Sequence, residues 1–227
     1  MKINRRNALI MTAAASAISL GGVSSALGGH AAATSSGTNQ GAGGVYDVNA
    51  LMAPDGWVDR AILGAEDASA MMIEYSSPTC PFCAAFKTQT YPLLKEQYVD
   101  TGKTRYILRP FVRNVLDAVV FMLADAAGEE GYHEVVATYL ASQQVWSRSD
   151  RPKDALMEVA LQLGFTEESF EAALTNQELF AGMEAVRDQA VNEFGLTGTP
   201  SFYINGKMFS GNQPLDVLGT EIESHQG

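Results

Sequence analysis

The chain has 227 residues, enough for one or two domains, and 46% of them are hydrophobic, enough to bury a sizeable core. The formal charge is −11, and it becomes −14 without residues 1–33, which hold Lys2, Arg5 and Arg6 and no acidic group. Such a chain repels nucleic acid and anionic membrane surfaces, and its charge serves solubility.

Residues 1–33 read as a signal peptide. A basic start precedes an apolar, Ala-rich run from Ala8 to Leu20, and small residues follow as far as Ala31-Ala32-Ala33. The run is too short and too interrupted by Ser and Gly for a good transmembrane helix. Asn4-Arg5-Arg6-Asn7-Ala8-Leu9 also resembles a twin-arginine export signal, with Ala8 where Phe is usual. An ordinary secretory signal and a twin-arginine signal both lead to a periplasmic, exported protein. Residues 34–60 form a linker and N-terminal arm, and 34–44 (TSSGTNQGAGG) is flexible by composition.

Residues 61–227 hold the folded domain. Met71 to Tyr75 is a short apolar run ending at Ser76-Ser77-Pro78 and reads as a buried strand. Pro81 opens a helix that continues from Phe82 to Tyr98, because a missing N–H is harmless at the first helical position. Arg105 to Arg109 is a second strand, with both arginines expected at solvated strand ends. Helical spacing then recurs over Asn114–Ala127, Tyr132–Gln144, Asp154–Leu163, Glu167–Leu174 and Leu179–Phe194. This is a helical insertion at about 112–194. Asn205-Gly206 between Ser201–Ile204 and Lys207–Ser210 is a hairpin signal, and a short final helix follows. The order defines an α/β fold.

The two cysteines of the chain form Cys80-Pro81-Phe82-Cys83. A structural staple would close so short a loop for only about 2 kcal/mol of chain entropy. Zinc needs three or four ligands, and only His133 and His225 remain outside the signal, neither with ligand spacing. Two thiolates suit Cu(I) better. Inert buried thiols fit poorly in an exported protein. The redox reading draws on placement: the pair follows a strand and opens a helix. Unpaired N–H groups and the positive end of the helix dipole then favour a Cys80 thiolate. Cys83, one turn in, would be the buried resolving thiol.

Ile62-Leu63-Gly64, Glu74 to Cys83 (EYSSPTCPFC), Thr197-Gly198-Thr199-Pro200 and Phe202 to Lys207 (FYINGK) together resemble the DsbA-type branch of the thioredoxin superfamily, from about Ile62 to Ile222. The resemblance implies a thioredoxin-like fold with an inserted helical domain, no cofactor and no metal. It implies a cis Thr199–Pro200 bond facing the cysteines, and backbone there that takes a substrate segment as an added strand. Thr199, Pro200, Pro81 and Phe82 would meet substrate. Glu74 matches a buried acid that relays protons to Cys83, the alternative being an exposed edge-strand residue.

The implied partners are exported proteins with thiols and a quinone-coupled membrane protein that reoxidises the pair. Two features favour instead a reduced isomerase or reductase: Phe82, where strongly oxidising relatives carry His, and Thr199. The short span between signal and domain leaves no room for a dimerisation domain and argues for a monomer.

Overall fold

The structure is a computed structural model, and it describes residues 41–227. The export signal expected over 1–33 and the start of the linker at 34–40 lie outside the described residues. A four-stranded sheet has the order β2-β1-β3-β4, formed by β1 (Ala70–Ser76), β2 (Thr104–Pro110), β3 (Ser201–Ile204) and β4 (Lys207–Ser210). β1 runs parallel to β2 and antiparallel to β3, which pairs antiparallel with β4. From Met72 to Ser76 every residue of β1 is buried. A strand covered on both faces reads as continuous apolar sequence, which is how Met72-Ile73-Glu74-Tyr75 escapes alternation. Asn205 and Gly206 take positive φ (42° and 94°) in the β3–β4 turn, as two-residue hairpins require.

α1 (Val48–Leu51) precedes the sheet, and α2 (Pro81–Ala85) follows β1. The single helix expected over Phe82–Tyr98 is broken up. π-helical turns at Phe86–Thr90 and Lys95–Val99 alternate with α2 and α3 (Tyr91–Leu94). Pro92 explains the first of them: it has no N–H for the carbonyl four residues back, so the ladder widens ahead of it.

Six helices lie between β2 and β3: α4 (Val115–Ala126), α5 (Gly128–Ala141), α6 (Gln143–Trp146), α7 (Pro152–Gln162), α8 (Glu167–Ala173) and α9 (Gln177–Asn192). They form the helical insertion. The run expected over Tyr132–Gln144 splits at Ser142 into α5 and α6. Asn114 caps α4 by accepting from Leu116 N at 2.9 Å and Asp117 N at 3.2 Å. Thr166 and Ser169 cap α8 reciprocally. α10 (Leu215–Glu223) closes the chain against α3.

Two expectations change. Arg109 is fully buried, not solvated: it binds Asp59 through two nitrogens at 2.7 Å, and also Tyr75 Oη and the Leu51 carbonyl. It ties the N-terminal arm to β2. The end of the polar stretch, Gly43 and Gly44, exchanges backbone hydrogen bonds with Met208 at 3.0 and 2.9 Å, and Val45 bridges Lys207. At the other edge Leu63 bridges Tyr106. Gly64 permits that approach, since a Cβ there would lie 2.2 Å from the Thr104 carbonyl oxygen.

Candidate active site

Cys80 is the N-cap residue of α2, with extended backbone (φ −86°, ψ 120°), and Pro81 is the first helical residue. The thiol group of Cys80 donates to the carbonyl of Thr199 at 3.1 Å, and the Thr199–Pro200 bond is cis. The structure thus brings Cys80, Cys83, Thr199 and Pro200 together. Both cysteines are free thiols here, so this is the dithiol form.

The two sulfurs differ. Cys80 is lowered to about 5, first by a hydrogen bond from the Cys83 thiol; burial opposes this, while the Thr199 side chain and the N–H groups of Cys83 and Phe82 add to it. Cys83 is pushed well above the ordinary thiol range by burial, by its bond to Cys80 and by the charges of Cys80 and Glu74; only the Ser77 N–H, 3.5 Å from its sulfur, works the other way. The helix start therefore makes one sulfur a nucleophile and keeps its neighbour a protonated donor. Phe82 points outward and is 63% exposed, and Pro81 is exposed beside it.

Glu74 is fully buried on a central strand, which removes the edge-strand alternative. It pairs with Phe202 on one side and Leu108 on the other. Its Oε2 accepts from Tyr106 Oη and from Lys87 Nζ at 3.4 Å, and Lys87 Nζ also donates to Tyr106 Oη at 2.8 Å. Its Oε1 is buried without a hydrogen-bond partner. Burial, then the Glu74 charge, pushes the Tyr106 phenol well up, so it remains a donor. Burial also lowers Lys87, against the pull of Glu74. Lys87 lies in the π-helical turn before Pro92, with its Nζ 3.7 Å from the Tyr91 ring centroid.

The loop before Cys80 is held from the helical insertion. Asp117 of α4 is fully buried and accepts from Ser77 Oγ (2.8 Å), Thr79 N (2.7 Å) and Arg113 N (2.9 Å). Arg113 donates to Ser77 Oγ at 2.9 Å and Thr79 Oγ1 at 3.0 Å. Gln143 of α6 donates from Nε2 to the carbonyls of Pro78 (2.6 Å) and Cys80 (2.9 Å).

Sequence reasoning missed Lys87, Tyr106, Asp117 and Gln143. Apart from Arg113, four residues before Asp117, their partners lie 13 to 65 residues away along the chain, and no spacing signals such contacts. His133, expected to be unremarkable, hydrogen-bonds the Ala61 carbonyl through Nε2 at 2.6 Å. Among the described residues no group of three or more His, Cys, Asp or Glu side chains is placed to hold a metal ion.

A paired-cysteine helix start facing a cis proline, on a mixed sheet with helices inserted after β2, defines a thioredoxin-fold thiol–disulfide site. Residues 58–224 match the family described as Thioredoxin. The chain belongs to that family, among its DsbA-like disulfide oxidoreductases. The crystal structure of Wolbachia pipientis alpha-DsbA1 superposes with a TM-score of 0.71 at 25% identity, over 78% of this chain and 94% of that one. A Rickettsia conorii protein named as a putative protein-disulfide oxidoreductase is 29% identical over 163 residues, 71% of this chain and 58% of its own length. A Bacillus anthracis protein named as a probable disulfide bond formation protein D is 26% identical over 71% of this chain and 76% of its own length. The chain thus spans less than two thirds of the Rickettsia relative.

Proposed function

We propose that this protein is an exported oxidase that introduces disulfides into other exported proteins through Cys80 and Cys83. In the oxidised enzyme a substrate thiolate attacks Cys80 Sγ; the Cys80–Cys83 bond breaks, and Cys83 leaves as a thiolate and takes a proton. A second substrate thiolate then attacks the substrate sulfur of the mixed disulfide and expels Cys80 as a thiolate. The substrate loses two electrons, and the enzyme gains them as a dithiol. A quinone-coupled membrane protein would take those electrons and restore the disulfide.

The observation that carries this reading is the opposed acidity of the two sulfurs. Cys80, lowered to about 5, is a good leaving group at neutral pH and so gives the disulfide up readily to substrate. Glu74, below Cys83 and with a free buried Oε1, would take and return the Cys83 proton. The first residue of β3 in the ladder is Ser201, so Gly198 and Thr199 lie beyond the last paired rung and suit an added substrate strand, with Pro81 and Phe82 flanking it. Export rests on the basic and apolar pattern of residues 1–33; among the described residues no helix is long and apolar enough to cross a membrane.

Phe82 favours a second reading, a reductase or isomerase kept reduced. Its exposed ring supplies no hydrogen bond to the Cys80 sulfur. One pair of assays separates the two: an oxidase speeds disulfide formation in a reduced, unfolded protein, whereas a reductase speeds insulin reduction with a thiol donor. Cys80→Ala should abolish either activity, and full oxidase activity in that variant would overturn the mechanism. Equilibration with glutathione places the Cys80–Cys83 couple: a potential well above thioredoxin's, about −270 mV, supports the oxidase.

A further inference from the structure

α2 begins without help from its own cap. The Cys80 side chain makes no capping bond, and two backbone–backbone hydrogen bonds hold the Cys80 peptide: Cys80 N–H to the Ser77 carbonyl (2.9 Å) and Ala84 N–H to the Cys80 carbonyl (3.1 Å). Side chains of the helical insertion supply further hold: Asp117 and Arg113 bind Ser77 and Thr79, and Gln143 binds the carbonyls on either side of Thr79. Gln143, 2% exposed, opens α6 and reaches the carbonyls of Pro78 and Cys80 with the same nitrogen. Both acceptors are carbonyls, so the amide nitrogen must face them. The two bonds span 65 and 63 residues of sequence and straddle Thr79.

We propose that Gln143 is a positioning residue for the reaction at Cys80: its carboxamide clamps the carbonyls of Pro78 and Cys80 and so fixes the Cys80 sulfur against the start of α2. The clamp has two effects. It fixes the backbone on both sides of Thr79, whose N–H is held separately by Asp117. It also pairs the Pro78 carbonyl and gives the Cys80 carbonyl a second donor besides Ala84 N–H, which draws negative charge on both oxygens away from the peptide groups that flank the reacting residue. α6 lies between α5 and α7 in the chain and packs on α7, so Gln143 transmits the packing of that part of the insertion to the cysteine, beside the Asp117 and Arg113 contacts to Ser77 and Thr79. This inference rests on the thiol–disulfide reading above and adds a determinant to it.

Gln143→Met keeps the length and bulk of the side chain and removes both donors. The test compares it with wild type, as full chains in the dithiol form, by thiolate absorbance at 240 nm against pH and by equilibration with glutathione. The Cys80 midpoint should rise by about one pH unit, and the equilibrium should move by about tenfold toward the disulfide, since the dithiol form loses thiolate stabilisation. A purely structural role would lower thermal stability and leave both readouts in place; that result overturns the proposal. A wild-type Cys80 that titrates like a free thiol overturns the thiol–disulfide reading itself, so the two failures are distinct. Should Gln143→Met not fold, wild type labelled with 15N-glutamine decides. One side-chain amide pair should exchange slowly and shift with the Cys80 titration, and the absence of such a pair overturns the clamp.

Discussion

Lys87 Nζ lies 3.4 Å from Glu74 Oε2 with both side chains essentially out of solvent, beneath the more buried of the two cysteines. A pair in that position couples charge and packing. Either partner alone would be an uncompensated ion in the core.

Lys87→Met is therefore expected to destabilise the protein by about 3–5 kcal/mol. Adding Glu74→Gln should recover much of that loss, because the double variant buries no net charge. Denaturant unfolding of wild type, both single variants and the double variant measures the coupling. Strictly additive effects would show that the two side chains do not act as a pair.

The acidity of Cys80 has a signed consequence for stability. Its thiol is lowered from 9.0 to about 5 in the folded dithiol form, so between those values the unfolded chain binds more protons. Stability of the dithiol form should therefore rise with pH across that window, fully so above about 9, and the gain should vanish as pH falls through about 5. Cys83 is raised, remains protonated in both states below 9, and adds no slope there. Unfolding of the dithiol form at pH 5, 7 and 8.5 should give a rising series, and Cys80→Ser should flatten it between 7 and 8.5, leaving below 7 the rise due to His133, which burial lowers from 6.5 to about 4.

Alkylation gives the kinetic counterpart. Iodoacetamide should modify Cys80 with a midpoint near pH 5 and leave Cys83 untouched until the chain unfolds. Mass spectrometry of peptides after brief labelling distinguishes the two. Equal labelling of both sulfurs would contradict the difference in acidity expected from their surroundings.

Asp117→Ala removes one acceptor from three donors at once: Ser77 Oγ, Thr79 N and Arg113 N. The expected loss is about 3 kcal/mol or more, since hydrogen bonds to a buried carboxylate are worth about 1.5–3 kcal/mol each and only the Ser77 hydroxyl can turn to another acceptor, Thr79 Oγ1. Asp117→Asn should fall between, because its amide accepts through one oxygen only. Thermal and denaturant unfolding check the order.

Phe82→His tests what the exposed ring withholds. An imidazole there places a donor, and at lower pH a positive charge, beside the Cys80 sulfur. The Cys80 midpoint should drop further, and the glutathione equilibrium should move by about tenfold toward the dithiol, making a stronger oxidant. An unchanged equilibrium would show that the dipeptide does not set the potential in this chain.

What was legible in the sequence was local. Cys80-Pro81-Phe82-Cys83 sits between a strand and a helix within one short stretch, and the Asn205-Gly206 turn is a neighbouring pair, so type and place could be read directly. Thr199, Pro200 and the burial of Glu74 came through resemblance, since spacing fixes neither an isomer nor a layer. The rest depends on distant partners. Lys87 looks like any helical lysine until Pro92 widens the turn and the fold sets Glu74 and Tyr106 before it. Arg109 reads as a solvated strand end because Asp59 lies 50 residues upstream. Asp117 and Gln143 occupy ordinary helix starts, and only the packing of the insertion aims them at the Cys80 loop.

The crossing of Gly43–Val45 over β4, with the Leu63–Tyr106 bridge on β2, leaves neither flank of the sheet as a long open ladder. If the protein acts on unfolded chains, as proposed, it would meet many extended segments that can pair with exposed backbone. By blunting both flanks, the arm would confine strand addition, on that proposal, to the short stretch beside the cysteines, so that contact with a client would begin where chemistry can follow.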